Sequence, residues 1–140
     1  MEYACLALIE LAGCYQDAEP LQIRQIAAQQ HIPDRYLEQL LATLRRGGLV
    51  RSQRGAKGGY VLAQDPWQVS LLDVFHCLEG GEVGSSQDDR TGQQTAERSV
   101  MREIWQEAET AMCTVLERQT LQDLVDRCNA CRQADLMYYI

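Results

Sequence analysis

The sequence predicts a mainly α protein: a winged helix-turn-helix with a small β-hairpin wing and a long C-terminal dimerisation helix. Three observations carry that expectation. Leu37, Leu40, Leu41 and Leu44 recur at i, i+3, i+4 and i+7, the spacing of one buried helical face. The run RGAKGG separates two short β-prone stretches and sets Arg54 and Lys57 near a hairpin tip. From about Ser99 to Arg118 runs a wide apolar stripe that a small winged-helix domain covers only in part.

Taken in order, Glu2 to Tyr15 combines strong helix formers with an almost continuous apolar surface, so a buried first helix is expected with Ala4, Leu8, Leu11 and Ala12 in its packed stripe. Asp17 to Pro20 breaks it. A short helix over Gln22 to Gln29 turns Ile23, Ile26 and Ala27 inward, and His31-Ile32 makes the turn into the next helix. Pro33 suits a helix start because its missing N–H would be unpaired there, and Gly47-Gly48 suits the end. Arg35, Tyr36, Glu38, Gln39, Thr43 and Arg46 then project opposite the leucines, where side chains can hydrogen-bond base edges. Leu49 to Gln53 and Tyr60 to Ala63 form the hairpin, whose turn geometry is permitted by three glycines, Gly58 and Gly59 among them. A recognition-type helix followed at once by a basic wing suggests the helix in a major groove and the wing across phosphates or a minor groove.

Beyond Asp65 the pattern changes. Pro66-Trp67 marks a connector, and Ser70 with Asp73 forms a capping pair that opens the helix SLLDVFHCLEG, with Leu71, Val74, Phe75 and Leu78 inward. His76 is read as structural rather than as a metal ligand. Gly80 to Glu97 is polar and Gly-rich at its ends, a long loop of the kind that is mobile or functional. In the long helix, Ile104, Trp105, Ala108, Met112 and Val115 form a face expected to meet the same helix of a second subunit. Thr120 with Asp123 starts a short helix, TLQDLV, before RCNACRQADLMYYI. The organisation expected is a DNA-binding domain over 1–79, a flexible loop over 80–98, and a dimerisation helix with its tail over 99–140.

Charge separates along the chain. The net charge is −7, yet residues 35–60 hold five Arg and one Lys against one Glu, a balance of +5, whereas residues 64–140 hold 6 basic and 14 acidic groups, a balance of −8. Positive charge is therefore concentrated on the presumed DNA-binding surface, and the acidic remainder repels DNA elsewhere and orients the approach. Met1-Glu2 offers no basic leader and Glu10 interrupts the first apolar run, so neither a signal peptide nor a membrane span is expected and the chain is read as cytoplasmic. Its six cysteines would then be mainly reduced, three or four of them acting as small core hydrophobes. With two histidines and no convergent acid, base and nucleophile, no catalytic constellation is visible.

The runs EYACLALIELA, IPDRYLEQLLATLRRGGLVRSQRGAKGGYVLA and VSLLDVFHCLEG, with Trp105 and TLQDL, resemble the Rrf-two family of bacterial winged-helix regulators, which includes iron-sulfur, nitric-oxide and cysteine-metabolism regulators. The resemblance spans roughly residues 2–127. It implies a homodimer on a pseudo-palindromic double-stranded DNA operator, with the long helices crossed at the interface. By position, Arg35, Glu38 and Gln39 match base-reading residues and Arg54 matches the wing arginine. Gln39 suits a bidentate contact with adenine, and Glu38 accepts from cytosine.

Departures from the family pattern are as informative. Cluster-binding members carry three cysteines and a further ligand in the loop that here covers residues 80 to 102, where this chain has no cysteine; by spacing from Trp105, Ser99 and Arg102 stand at ligand positions and suit no iron-thiolate site. The resemblance also implies several residues before the position of Met1. What remains for sensing is Cys128 and Cys131, a C-x-x-C pair that two subunits would double to four thiolates for zinc or an iron-sulfur cluster, and a cross-subunit grouping of Glu2 and Cys5 with His31. Inert cysteines are the competing reading. The function expected is a dimeric, sequence-specific DNA-binding transcriptional regulator responding to iron-sulfur or redox status, with an iron-sulfur cluster at a non-standard site as its candidate cofactor. The alternative is a protein-interaction module that keeps the winged helix without DNA recognition.

Overall fold

The structure, a computed structural model, describes residues 1–17, 19–79 and 95–138. Their elements follow the order α1 (Glu2–Gly13), α2 (Ile23–Gln30), α3 (Asp34–Arg46), β1 (Val50–Gln53), β2 (Gly59–Leu62), a 3-10 turn (Pro66–Gln68), α4 (Leu71–Leu78), α5 (Ala96–Glu117) and α6 (Leu121–Tyr138). This is the mainly helical winged architecture that the leucine spacing and the glycine-rich hairpin predict.

The core forms where the apolar stripes of the first three helices converge. Ala4, Ala7 and Leu8 of α1, Ile26 of α2, and Leu37, Leu41 and Leu44 of α3 are each 0% exposed. Burial of one such leucine stabilises the fold by about 1.5–3 kcal/mol, which makes α1 the post on which α2, α3 and α4 pack. Leu40 and Ile23, expected on the buried faces, lie at the margin of the core and are half-buried. In α4 only Val74 is buried, while Leu71, Phe75 and Leu78 are half-buried.

β1 and β2 pair antiparallel with Val50 opposite Leu62 and Gln53 opposite Gly59. Leu21 adds one further bridge, donating to the Tyr60 carbonyl at 3.0 Å and accepting from the Tyr60 amide at 2.8 Å. The outer edge of β2, near the turn, is thus held by the chain entering α2. Ser70 caps α4 in a reciprocal box with Asp73, at 3.1 and 3.0 Å, as its spacing predicts. Thr120 and Asp123 make the same box at the start of α6, and hydrogen bonding by the Thr120 amide, then by its hydroxyl, holds the Asp123 carboxyl below its usual range.

Two helices differ from expectation. α5 begins at Ala96, three residues early, because Thr95 Oγ1 accepts from the Arg98 amide at 3.3 Å and so caps it. α6 continues from the expected TLQDLV through RCNACRQADLMY as one helix of 18 residues. Its first turns pack on α1 and the 3-10 turn through Leu121, Leu124 and Val125. Residues 80–94, which hold most of the expected polar loop, lie outside the described residues. Among the described residues no helix is long and apolar enough to cross a membrane.

Candidate nucleic-acid interface

α3 carries two chemistries on opposite sides. With Leu37, Leu41 and Leu44 locked inward, Arg35, Tyr36, Glu38, Gln39, Arg45 and Arg46 are all exposed. Thr43, expected among them, is half-buried and donates to the Gln39 carbonyl at 3.0 Å. Arg46 donates to Thr43 Oγ1 at 3.3 Å, so this guanidinium lies along its own helix. Arg35, Glu38 and Gln39 thus form the outward polar face of the helix that the rest of the domain buttresses.

The wing stands next to this face. Arg54 and Lys57 are exposed, as expected, within the turn between the strands. Gly58 closes that turn by donating to the Gly55 carbonyl at 2.9 Å, and a Cβ on Gly58 would collide with the carbonyl oxygens of Gln53 and Gly55. At Gly59, φ is +157° and a Cβ would run into the Leu21 carbonyl. The two glycines let the wing fold tightly and approach the strand-like residue beside it.

Arg45 and Arg51 are contributors the sequence reading passed over. Arg51 is exposed on β1, and Arg45 Nη1 donates to Ser52 Oγ at 3.2 Å, joining the last turn of α3 to the wing. Counting charge by position in the predicted hairpin would have found Arg51; the Arg45 contact links elements seven residues apart through a glycine turn and has no local pattern.

The apolar face of α5 is open. Ile104, Trp105, Ala108, Met112 and Val115 are all exposed, with Trp105 71% accessible, and none of the residues of α5 is buried within the chain. Val100 and Met101 extend the stripe toward the helix start.

The metal and redox candidates are spread over the fold. Glu2 and His31 are exposed, Cys5 and Cys128 are half-buried, and Cys131 is exposed one helical turn after Cys128 on α6. His31 closes α2 with left-handed backbone, φ 54° and ψ 44°, a local capping role independent of its ring. Burial pushes the Cys5 thiol up, offset in part by the N-terminal amine. Cys77 lies against α3, its thiol 3.6 Å from the Thr43 carbonyl; burial raises its pKa while Arg46 and the Gly47 amide act the other way. The expectation of three or four core cysteines is corrected: all six are half-buried or exposed, because Leu, Ile, Val and Ala fill the core and only Cys5 and Cys77 pack against its margin. Among the described residues no three His, Cys, Asp or Glu side chains converge to hold a metal ion. The described donors of one chain therefore do not by themselves make up an iron-sulfur centre.

Comparison with known proteins adds a family to this geometry. Residues 1–127 match the family model Rrf2, described as iron-dependent transcriptional regulators. The protein slr0846 of Synechocystis is 40% identical over 124 residues, 87% of this chain and 82% of that protein. CymR of Bacillus subtilis is 34% identical over 97% of this chain and 94% of its own length. Its structure, described as that of the global cysteine regulator, superposes with a TM-score of 0.70 over 90% of this chain and 92% of that one, at 35% identity. The structure of T. potens IscR gives a TM-score of 0.74 at 32% identity, covering 91% of this chain and 83% of that one. A buried leucine face beneath an exposed reading face, a basic wing beside it, and this match over most of the chain lead to one assignment: the chain belongs to the Rrf2 family and is a DNA-binding transcriptional regulator, not an enzyme.

Proposed function

We propose that the protein acts as a homodimer that reads a two-fold related DNA site and changes its affinity with thiol or iron-sulfur status in the cytoplasm. The observation that carries the DNA half is the outward face of α3, Arg35, Tyr36, Glu38 and Gln39, beside the exposed Arg54 and Lys57 of the wing. In this reading α3 enters the major groove, where Gln39 pairs with adenine and Glu38 with cytosine, while the wing follows phosphates or a narrow minor groove. Gly58 and Gly59 shape that wing. The dimer half rests on the uncovered stripe of Ile104, Trp105, Ala108, Met112 and Val115 on α5.

Support for control by iron or sulfur chemistry comes from the family's description as iron-dependent and from the relative described as a global cysteine regulator. The residues available for it here are Cys128 and Cys131, and Glu2, Cys5 and His31 if two subunits combine them. One chain alone brings no three of these donors together, so any metal centre would require donors from both subunits or from residues 80–94.

Selection of duplexes from a random library, with the full-length chain, tests the DNA reading. The expected product is an inverted repeat whose half-sites lie about one helical turn, or a multiple of it, apart. Enrichment of a single half-site would sink the dimeric reading, and no enrichment at all would return the protein-interaction alternative. Repeating the selection with oxidised and reduced protein reads the control: the same affinity in both states, with no iron or acid-labile sulfide in protein purified without oxygen, would remove it.

A further inference from the structure

The surface that presents α3 holds an aromatic contact that the recognition residues leave unexplained. Tyr3, on the first turn of α1, and Tyr36, on the first turn of α3, meet edge to face with ring centroids 5.5 Å apart and planes 75° apart. That is the arrangement two ring quadrupoles favour, positive edge to negative face. Tyr3 is 42% and Tyr36 44% exposed, so the pair lies outside the core, whose nearest members in sequence, Ala4 and Leu37, are fully buried beneath it.

An exposed aromatic side chain on a helix has more than one staggered rotamer open to it. A second ring set edge-on restricts that choice. Immobilising a side chain on binding costs entropy, so a Tyr36 already oriented in the free protein meets DNA with less to lose. Nothing in the core requires this ring pair, and its partner sits among Arg35, Glu38 and Gln39.

We propose that Tyr3 is a positioning residue for DNA recognition: its ring holds Tyr36 in the orientation with which the first turn of α3 meets DNA. The inference rests on reading Tyr36 as a residue of the DNA-facing surface. The interaction energy of an aromatic pair of this geometry bounds the effect on affinity at about tenfold.

A double-mutant cycle separates positioning from direct contact and from general stability. The full-length chain and its Tyr3→Leu, Tyr3→Phe, Tyr36→Leu and Tyr3→Leu/Tyr36→Leu variants are titrated against a fluorescein-labelled duplex recovered by selection, and each is melted thermally. Tyr3→Leu is expected to weaken binding about three- to tenfold in the native background and to add no loss once Tyr36 is leucine. Tyr3→Phe keeps the ring and restores both affinity and melting temperature, whereas Tyr3→Leu melts a few degrees lower, as loss of the ring pair dictates, and is fully folded at the temperature of the titration. Equal losses in both backgrounds would overturn the proposal, since Tyr3 would then act on DNA or on the fold by itself. Loss with Tyr3→Phe as large as with Tyr3→Leu would overturn it too, by assigning the effect to the hydroxyl. If Tyr36→Leu alone leaves affinity unchanged, the reading of Tyr36 fails together with the proposal; if Tyr36→Leu weakens binding but the cycle is additive, only the proposal fails.

Discussion

Arg45 donates from the last turn of α3 to Ser52 Oγ on β1 across 3.2 Å, so α3, the helix proposed to read DNA, and the wing beside it are joined by a side-chain hydrogen bond as well as by the chain. The bond is exposed, which limits its net worth to about 1 kcal/mol or less. Ser52→Ala is therefore expected to leave the melting temperature unchanged and to weaken binding to a selected duplex about two- to threefold, within what that energy allows. Fluorescence anisotropy measures the affinity. A loss of tenfold or more would mean that Ser52 itself contacts DNA.

Arg54 has a different signature. It is exposed at the start of the wing turn, so Arg54→Ala removes one cation with little structural consequence. A cation that neutralises one phosphate contributes about 0.9 to the slope of log affinity against log salt. The expected outcome is weaker binding to every duplex at low salt and a slope reduced by about one. Affinity and slope both equal to those of the native chain would take the wing off the DNA.

Legibility in the sequence followed burial. Leu37, Leu41 and Leu44 are fully buried and their spacing revealed α3, because a helix packed on one side must show its period, while Pro33 and Gly47 marked its ends to within a residue. The Ser70–Asp73 and Thr120–Asp123 boxes were equally readable, being local hydrogen bonds with fixed spacing. The far half of α6 was missed for the opposite reason. Its residues 129–137 are all exposed, so no packed face imposes a period on NACRQADLM. The Leu21–Tyr60 bridge joins residues far apart in the chain through backbone atoms, which leaves no side-chain pattern. Within the candidate interface, residue types announced Arg35, Glu38, Gln39 and Arg54, whereas the Tyr3–Tyr36 contact depends on how α1 crosses α3.

Gly58 offers a test of wing geometry without altering charge. A Cβ there would meet the Gln53 and Gly55 carbonyl oxygens inside ordinary contact distance, and both belong to backbone that cannot swing away. Gly58→Ala is expected to destabilise the chain by about 1–3 kcal/mol, the range for backbone strain and overpacking. Urea unfolding measures that loss. DNA affinity should fall further than with Ser52→Ala, because the whole turn carrying Arg54 and Lys57 must shift. Stability and affinity both unchanged would show that the turn has room.

The half-buried thiols of Cys5 and Cys77 are expected to contribute to the loss of stability at alkaline pH. Burial raises Cys5 and Cys77 above the ordinary thiol value of about 8.5. Above that value the unfolded chain gives up protons that the folded chain still holds, so the stability contributed is complete below the ordinary value and is lost as pH climbs toward the raised ones. Melting temperature should therefore decline on the alkaline side, and more gently in a Cys5→Ser/Cys77→Ser chain compared with its own value at neutral pH. Parallel declines in the two proteins would exclude these thiols as the groups responsible.

The apolar face of α5 makes the last prediction. Trp105 is 71% exposed and Ile104 53%, and both lie on a stripe that continues through Ala108, Met112 and Val115 without cover from the other described residues. Large exposed apolar stripes mark interfaces, and in a two-fold dimer each substitution enters twice, once from each subunit. Ile104→Glu should accordingly place two charges in one apolar seam, where desolvation without a partner is costly. The expected result is a chain that light scattering finds as a monomer at micromolar concentration. Its isolated winged helix should melt cooperatively, since Ile104 packs on nothing in the core. Binding to an inverted repeat should then fall to that of a single half-site, because the second recognition helix no longer arrives with the first. A monomeric native chain, or an Ile104→Glu chain that remains dimeric, would place the dimer contact elsewhere.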